Sequence, residues 1–495
     1  MQFEHLSITE LRKKLDAKEL SSVELTKYFL SRINELDKKV NSFVTVCENE
    51  ALNSATKADE FINSPGENPF LCGIPYASKD LFCTKGVRTT ASSKILDSYI
   101  PPHNATVEKK IKEHYGVLVG KTNLDEFAHG SSTETSAYGP SKNPWDLNRI
   151  PGGSSGGSTA ALAAGLVPWA TATETGGSIR QPASLCGVSG WKPTYGRVSR
   201  YGVIAMGSSL DCPGAVAHTV EDLAHLAEIM SGQDEKDSTT GVQPVPQYSK
   251  NLSSNISGLR IGVPKQYFVE GMEEDVKNRV MDAVKQLEKM GAKISEVDLP
   301  NTRFGSLVYA IICPSEVSSN LMRYDGIRYG HLSQQAKNLL EVYEKSRGEG
   351  FGSEAKRRIL TGTYVLTAGY YDAYYKKAQK VRRLIMNEFS EVFKNVDALV
   401  CPSSPNVAVK IGGAKENPLF GYIADQLNIP SSLAGLPAIS MPCGFGMPSD
   451  GEAPSMDGLP VGLQVIGPQW GEQTVFNIGY AYQQETDWHR KYPGV

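Results

Sequence analysis

The sequence predicts an α/β fold built on one extensive sheet, and three observations carry that expectation. Residues 259–300 read strand–helix–strand: LRIGVP, an amphipathic stretch over 273–291, then AKISEVDLP. That is the pattern of a parallel βαβ unit. Apolar runs of strand character recur at 42–46, 116–123, 398–402, 431–445 and 458–468, with helical periodicity between them. No internal repeat stands out, and the chemistry-bearing residues are spread along a long region, so one interwoven domain over 1–495 is expected.

The composition bounds the function. A chain of 495 residues with 40% hydrophobic and 21% charged residues has ample length for a large core. A net charge of −3 gives no global attraction to a phosphate backbone. The eight cysteines are scattered without C-x-x-C spacing, which favours buried free thiols over a disulfide framework or a zinc ribbon. MQFEHLSITELRKK has no apolar core of a signal peptide. The most apolar stretch, 159–173, is too short for a membrane span and contains Gly165 and Pro168. A cytoplasmic protein with no membrane partner is expected.

Taken in order, 8–17 and 22–40 read as amphipathic helices, the second opened by a Ser21/Glu24 capping box. A helix over 49–62 completes a helical cover spanning about 1–65. Further helices are expected near 106–114, over 222–230 behind a Thr219 cap, and over 306–322, 333–346, 354–394 and 473–484. The polar, Pro/Ser-rich stretch 233–257 reads as a long excursion.

Everything else is arranged around GGSSGGSTAALAAGLVPWATATETGGSIR (152–180). Two glycine–serine clusters flank an apolar linker of small residues, which suits tight packing better than a flexible tether. Glycines let backbone N–H groups approach a ligand closely, so each cluster is able to pair a hydroxyl with an anion cradle. Upstream, GIPYASKD places Lys79 between apolar flanks. Alone it reads as a solvated surface lysine; buried, it would lose basicity and become able to act as a base. Gly120-Lys121-Thr122 imitates the end of a P-loop, but Tyr115 stands where the motif needs glycine, and VLV before it reads as a buried strand. A nucleotide site is therefore rejected. Gly152-Gly153-Ser154-Ser155-Gly156 fits G-x-S-x-G, yet the polar NPWDLNRIP before it offers no nucleophile-elbow strand. His218 and His225, seven apart around a helix, read as structural. Ser–His–Asp catalysis fits poorly; a Ser–Lys arrangement fits better.

GIPYASKD (73–80), PGGSSGGS (151–158) and TETGGSIRQPA (173–183) resemble the motifs of the amidase-signature family in order and spacing: a lysine, a serine 75 residues later, a second serine 24 after that. The resemblance runs along essentially the whole chain. It implies a large mixed sheet surrounded by helices and a Ser–cis-Ser–Lys triad. Ser178 would be the nucleophile, Ser154 the bridge behind a cis Gly153–Ser154 peptide, and Lys79 the base. Thr175, Gly176 and Gly177, with Ser178, would supply oxyanion N–H groups. One departure stands out: Glu174 replaces the family's usual aspartate, and its expected role is to make structural hydrogen bonds behind the nucleophile loop.

Within the family, residues 123–146, 323–330 and 350–382 resemble the glutamine-hydrolysing subunits of tRNA-dependent amidotransferases. That resemblance implies glutamine as substrate, with Arg358 on its carboxylate, Asp425 on its ammonium and Tyr309 lining the pocket. It implies no metal or cofactor in this chain; ATP and Mg belong to a B subunit that amidates charged tRNA with the ammonia delivered to it. A small C subunit would complete a heterotrimer. The alternative is a stand-alone amidase of small amides.

Overall fold

The computed structural model describes residues 3–413, 420–455 and 457–494. Eleven strands among them join in one sheet. In chain order they are β1 (Phe43–Val46), β2 (Pro75–Lys79), β3 (Val117–Thr122), β4 (Trp169–Glu174), β5 (Ser189–Lys192), β6 (Cys212–Ala217), β7 (Arg260–Pro264), β8 (Lys293–Val297), β9 (Ala398–Pro402), β10 (Ala438–Gly446) and β11 (Leu459–Ile466). Their spatial order is β1-β3-β2-β4-β6-β5-β10-β11-β9-β7-β8.

The sheet is mixed. β2 runs parallel to β3 and β4, and β7 runs parallel to β8 and β9. The span from β4 through β6, β5, β10 and β11 to β9 is antiparallel. The parallel pairing expected across 259–300 is present, with Arg260 opposite Lys293. Its connecting helix, Glu274–Lys289, buries Val276, Val280, Ala283, Val284 and Leu287 at helical spacing.

Local sequence explains the entry to the sheet. The helices Ile8–Asp16 and Ser22–Val40 both begin with reciprocal capping boxes, Ser7/Glu10 and Ser21/Glu24. Glu48–Ile62 follows β1 and faces inward through Ala51, Ala55 and Ala58. The linker between the two glycine–serine clusters forms the helix Gly156–Ala163 and then β4, and every residue of both is buried. Glycine permits the closest of these approaches: a Cβ on Gly157 would lie 2.3 Å from the Asn123 carbonyl oxygen. The eight cysteines are all buried and free.

Three expectations need correction. Residues 333–338 are not helical; the helix spans Leu339–Gly350 because Asn338 caps it, accepting from the Glu341 N–H at 3.0 Å. The expected helix over 354–394 is interrupted: Ser353–Leu366 ends with Thr367 extended, and a single π-turn, Asp372–Lys376, leads into Lys377–Val392. The strand expected from 431 begins only at Ala438. Pro430 favours the first turn of a short helix, Ile429–Leu433, and Gly435, at φ +71°, turns the chain.

The excursion at 233–257 has no helix or strand, yet Tyr248 and Ile256 are buried, and Asp237 pairs with Arg200 at 2.8 Å. Among the described residues no helix is long and apolar enough to cross a membrane.

Candidate active site

Lys79 is the last residue of β2, and its side chain is fully buried. β4 fixes its backbone: the Thr171 hydroxyl accepts the Lys79 N–H at 2.9 Å. Nζ lies 2.9 Å from Ser154 Oγ, 2.8 Å from Ser155 Oγ and 2.9 Å from Thr173 Oγ1, with the Thr173 carbonyl oxygen at 3.4 Å. All four partners are uncharged. Burial lowers the lysine pKa to about 7, while the more distant Asp125, Asp211 and Glu174 charges oppose the shift. A drop from 10.5 to about 7 corresponds to a penalty of about 5 kcal/mol on the protonated form. Near neutrality the amine is therefore poised between its two protonation states.

The Gly153–Ser154 peptide is cis. Gly153 donates its N–H to Gln181 Oε1 at 3.0 Å, and a Cβ there would lie 2.2 Å from Asp125 Oδ2. Asp125 in turn gathers the loop that follows it, accepting from the N–H groups of Ser132 (3.2 Å) and Thr133 (2.9 Å) and from the Thr135 hydroxyl (2.9 Å). One carboxylate thus holds the 130–135 loop against the serine turn.

After β4 the chain turns through Thr175, Gly176, Gly177 and Ser178 into the helix Arg180–Cys186. The N–H groups of these four turn residues bond to no described backbone carbonyl. The Ser155 N–H donates to the Ser178 carbonyl oxygen at 3.1 Å, so the two serine clusters are tied through the backbone. Gly177 also faces Asp425, whose Oδ1 would lie 2.1 Å from a Cβ at that position.

Glu174 braces this turn. Its Oε2 accepts the N–H groups of Ile179 and Arg180, both at 3.1 Å. Its Oε1 accepts from Arg180 Nε at 2.9 Å and from the Ser432 hydroxyl at 3.0 Å. Burial raises the Glu174 carboxyl pKa, but Arg180 outweighs that and holds it below its ordinary value. Arg180 continues the network to Ser431 Oγ (2.8 Å), Gln464 Oε1 (2.7 Å) and the Asn428 carbonyl oxygen (2.9 Å).

Beside the turn lies a cavity of about 440 Å³, bordered by His129, Ser131, Glu354, Arg357, Arg358 and Tyr422 among others. Arg358 is buried, and its Nε donates to Glu354 Oε1 at 2.7 Å. Asp425 takes the Ser131 hydroxyl on Oδ2 at 2.6 Å, while Oδ1 has no partner among the described residues. Burial pushes the Asp425 pKa up to about 8. The Tyr309 hydroxyl is 2.8 Å from Thr175 Oγ1, against the turn that carries Ser178 instead of on the border of the cavity. A larger groove of about 750 Å³, between the helices Ser22–Val40 and Glu48–Ile62, lies elsewhere, and none of Lys79, Ser154 and Ser178 lines it.

The structure thus brings Lys79 and Ser154 into contact and ties the Ser178 backbone to Ser155, while no hydrogen bond joins the Ser154 and Ser178 hydroxyls among the described residues. It places Arg358 at the adjoining cavity and Asp425 between that cavity and the turn. The two histidines read as structural sit elsewhere: His218 packs edge-on to Tyr492 and His225 stacks on Phe70. Sequence reasoning missed Ser155 and Thr173 around Nζ, Asp125, and Arg180 behind Glu174. Ser155 and Thr173 lie inside the quoted motifs, but nothing in spacing says which hydroxyl faces the lysine.

Residues 24–476 match the family model described as Amidase. The chain belongs to the amidase family. It is 52% identical over 491 residues to the A subunit of the glutamyl-tRNA(Gln) amidotransferase of Saccharophagus degradans, covering 99% of both chains. The A subunit of the same enzyme from Thermotoga maritima superimposes with a TM-score of 0.81 at 43% identity, over 100% of this chain and 98% of the other. The peptide amidase of Stenotrophomonas maltophilia shares the fold at a TM-score of 0.84 and 28% identity, over 99% of each chain. The large mixed sheet with surrounding helices is the architecture this family membership predicts.

Proposed function

We propose that this amidase is the glutamine-hydrolysing subunit of a tRNA-dependent amidotransferase, using Ser178 as nucleophile, Ser154 as bridge and Lys79 as base. The observation that carries the chemistry is a buried lysine, its pKa lowered to about 7, whose Nζ is 2.9 Å from Ser154 Oγ. Neutral Lys79 takes the Ser154 proton as Ser154 takes that of Ser178, and Ser178 Oγ bonds to the side-chain amide carbon of glutamine. Negative charge forms on the amide oxygen, and the free N–H groups between Thr175 and Ser178 stabilise it; one such donor is typically worth about 10²–10³ in rate. The C–N bond then breaks, and the nitrogen leaves as ammonia with the proton returned from Lys79 through Ser154. Water, deprotonated along the same relay, cleaves the Ser178 ester to release glutamate.

Arg358 and Asp425 fit the two ends of a free amino acid. A guanidinium suits the α-carboxylate. The unpartnered Asp425 Oδ1 suits the α-ammonium, whose charge favours the ionised carboxylate. This pair of opposite charges favours an amino-acid substrate over the neutral amides of a stand-alone amidase. Ammonia would pass to a B subunit, which amidates charged tRNA with ATP and Mg, while a C subunit completes the heterotrimer in the cytoplasm. The full-length similarity to amidotransferase A subunits supports that assignment. The test is purification of the chain at its native level. Recovery with two partners that together amidate Glu-tRNA or Asp-tRNA using glutamine and ATP supports the reading; a lone chain that hydrolyses small amides overturns it.

A further inference from the structure

His129 borders the cavity that holds Arg358, yet its side chain is fully buried and neither ring nitrogen has a hydrogen-bond partner among the described residues. An imidazole carries one N–H donor and one acceptor when neutral, and burying both unpaired is costly. Such a group persists in a well-packed site when something other than stability retains it. The backbone around it is held firmly. Its N–H donates to the Glu126 carbonyl oxygen at 2.9 Å, and Phe127 and Ala128 before it adopt positive φ angles of 50° and 63°. Two residues on, Ser131 donates to Asp425. The loop that places the ring beside Arg358 is therefore the loop that orients the other end of the site.

The charges that His129 senses are those of Arg358 and Arg357. After burial, they are what hold its basicity well below the ordinary histidine range, so the ring is neutral. A neutral imidazole keeps one N–H donor, and beside two guanidinium groups that donor is placed to meet an anion drawn there by their charge.

We propose that His129 is a substrate-binding residue of the glutamine site, donating its ring N–H to the α-carboxylate held by Arg358. The proposal rests on the glutaminase reading above. It makes His129 and Arg358 a two-point clamp on the carboxylate, with Ser131 and Asp425 at the ammonium end. Arg358 keeps its Nε contact to Glu354 and offers its terminal N–H groups to the carboxylate, and His129 gains in the complex the acceptor it lacks among the described residues.

The clamp separates binding from stability in a way a packing role would not. His129→Leu removes two buried unpaired nitrogens, so its melting temperature is expected to equal or exceed that of the wild type. At the same time the KM for glutamine is expected to rise about ten- to a hundredfold with kcat within about threefold, the loss of a hydrogen bond to a charged group. His129→Asn, which keeps an N–H donor, is expected to recover at least part of that KM. Glutaminamide, in which a neutral amide replaces the α-carboxylate, is expected to lose far less on His129→Leu. The assay uses the full chain with whatever subunits co-purify. An unchanged glutamine KM in His129→Leu, or an equal loss for glutamine and glutaminamide, overturns the carboxylate contact while the glutaminase reading stands. Absence of glutamine hydrolysis by the wild type overturns that reading, and the proposal with it.

Discussion

Glu174 and Arg180 form an ion pair with both side chains wholly buried, and the same carboxylate accepts the two backbone N–H groups at the start of the helix that follows Ser178. The turn that carries Ser178 is thus braced from behind by a carboxylate wholly shielded from solvent. The glutamate spans the distance with both carboxylate oxygens engaged, Oε2 on the Ile179 and Arg180 N–H groups and Oε1 on Arg180 Nε and the Ser432 hydroxyl. The structural role expected of Glu174 agrees with this geometry.

Removing one partner of such a pair leaves a buried charge uncompensated, at a typical cost of about 3–5 kcal/mol. Glu174→Ala is therefore expected to lower stability by that order, read as a shifted denaturant midpoint. Glu174→Asp, with a carboxylate too short for all its donors, is expected to cost less in stability and to lower kcat more than it alters KM.

The pH dependence follows from Lys79. Burial lowers its pKa from 10.5 to about 7, so the lysine is protonated and inactive as a base below that point and neutral above it. The hydrolysis rate at saturating glutamine is expected to rise about tenfold per pH unit below about 7 and to level off above it. The same sign holds for stability: between about 7 and 10.5 the unfolded chain binds the proton that the folded chain has released, so the Lys79 contribution to stability grows with pH across that window. Lys79→Arg, charged at every working pH, is expected to be inactive throughout. Initial-rate profiles from pH 5.5 to 9 check the two activity statements, and denaturant midpoints measured between pH 7 and 10 check the one on stability.

Arg358→Ala is expected to raise the glutamine KM by about tenfold or more with a smaller change in kcat, because on the proposed reading the guanidinium would bind the substrate away from the reacting carbon. Steady-state kinetics decide it; unchanged glutamine kinetics remove Arg358 from the site.

Much of this was legible beforehand because the signals were local. The Ser21/Glu24 capping box and the helix expected over 273–291 are written in neighbouring residues, and the structure has helices there, Ser22–Val40 and Glu274–Lys289. Lys79, Ser154 and Ser178 were legible as a spaced pattern and an order of motifs. What was not legible depends on tertiary approach. Ser155 and Thr173 share the lysine with Ser154 only because the helix Gly156–Ala163 and β4 pack within one glycine's width of their neighbours. Asp125 and His129 lie in a stretch with no periodicity, and their burial is set by elements far along the chain. The strand expected from 431 failed for the opposite reason: an apolar run of small residues fits a buried helix as well as a strand, and Pro430 decides it locally.

The central claim is that Ser178 makes ammonia here and a partner consumes it. Ser178→Ala in the assembled complex tests it most directly, with amidation of charged tRNA measured from glutamine and, separately, from ammonium chloride. The account predicts that the glutamine-dependent rate falls by at least about 10³ while the ammonia-dependent rate stays within about twofold. Loss of both rates together, or retention of the glutamine-dependent one, would contradict it.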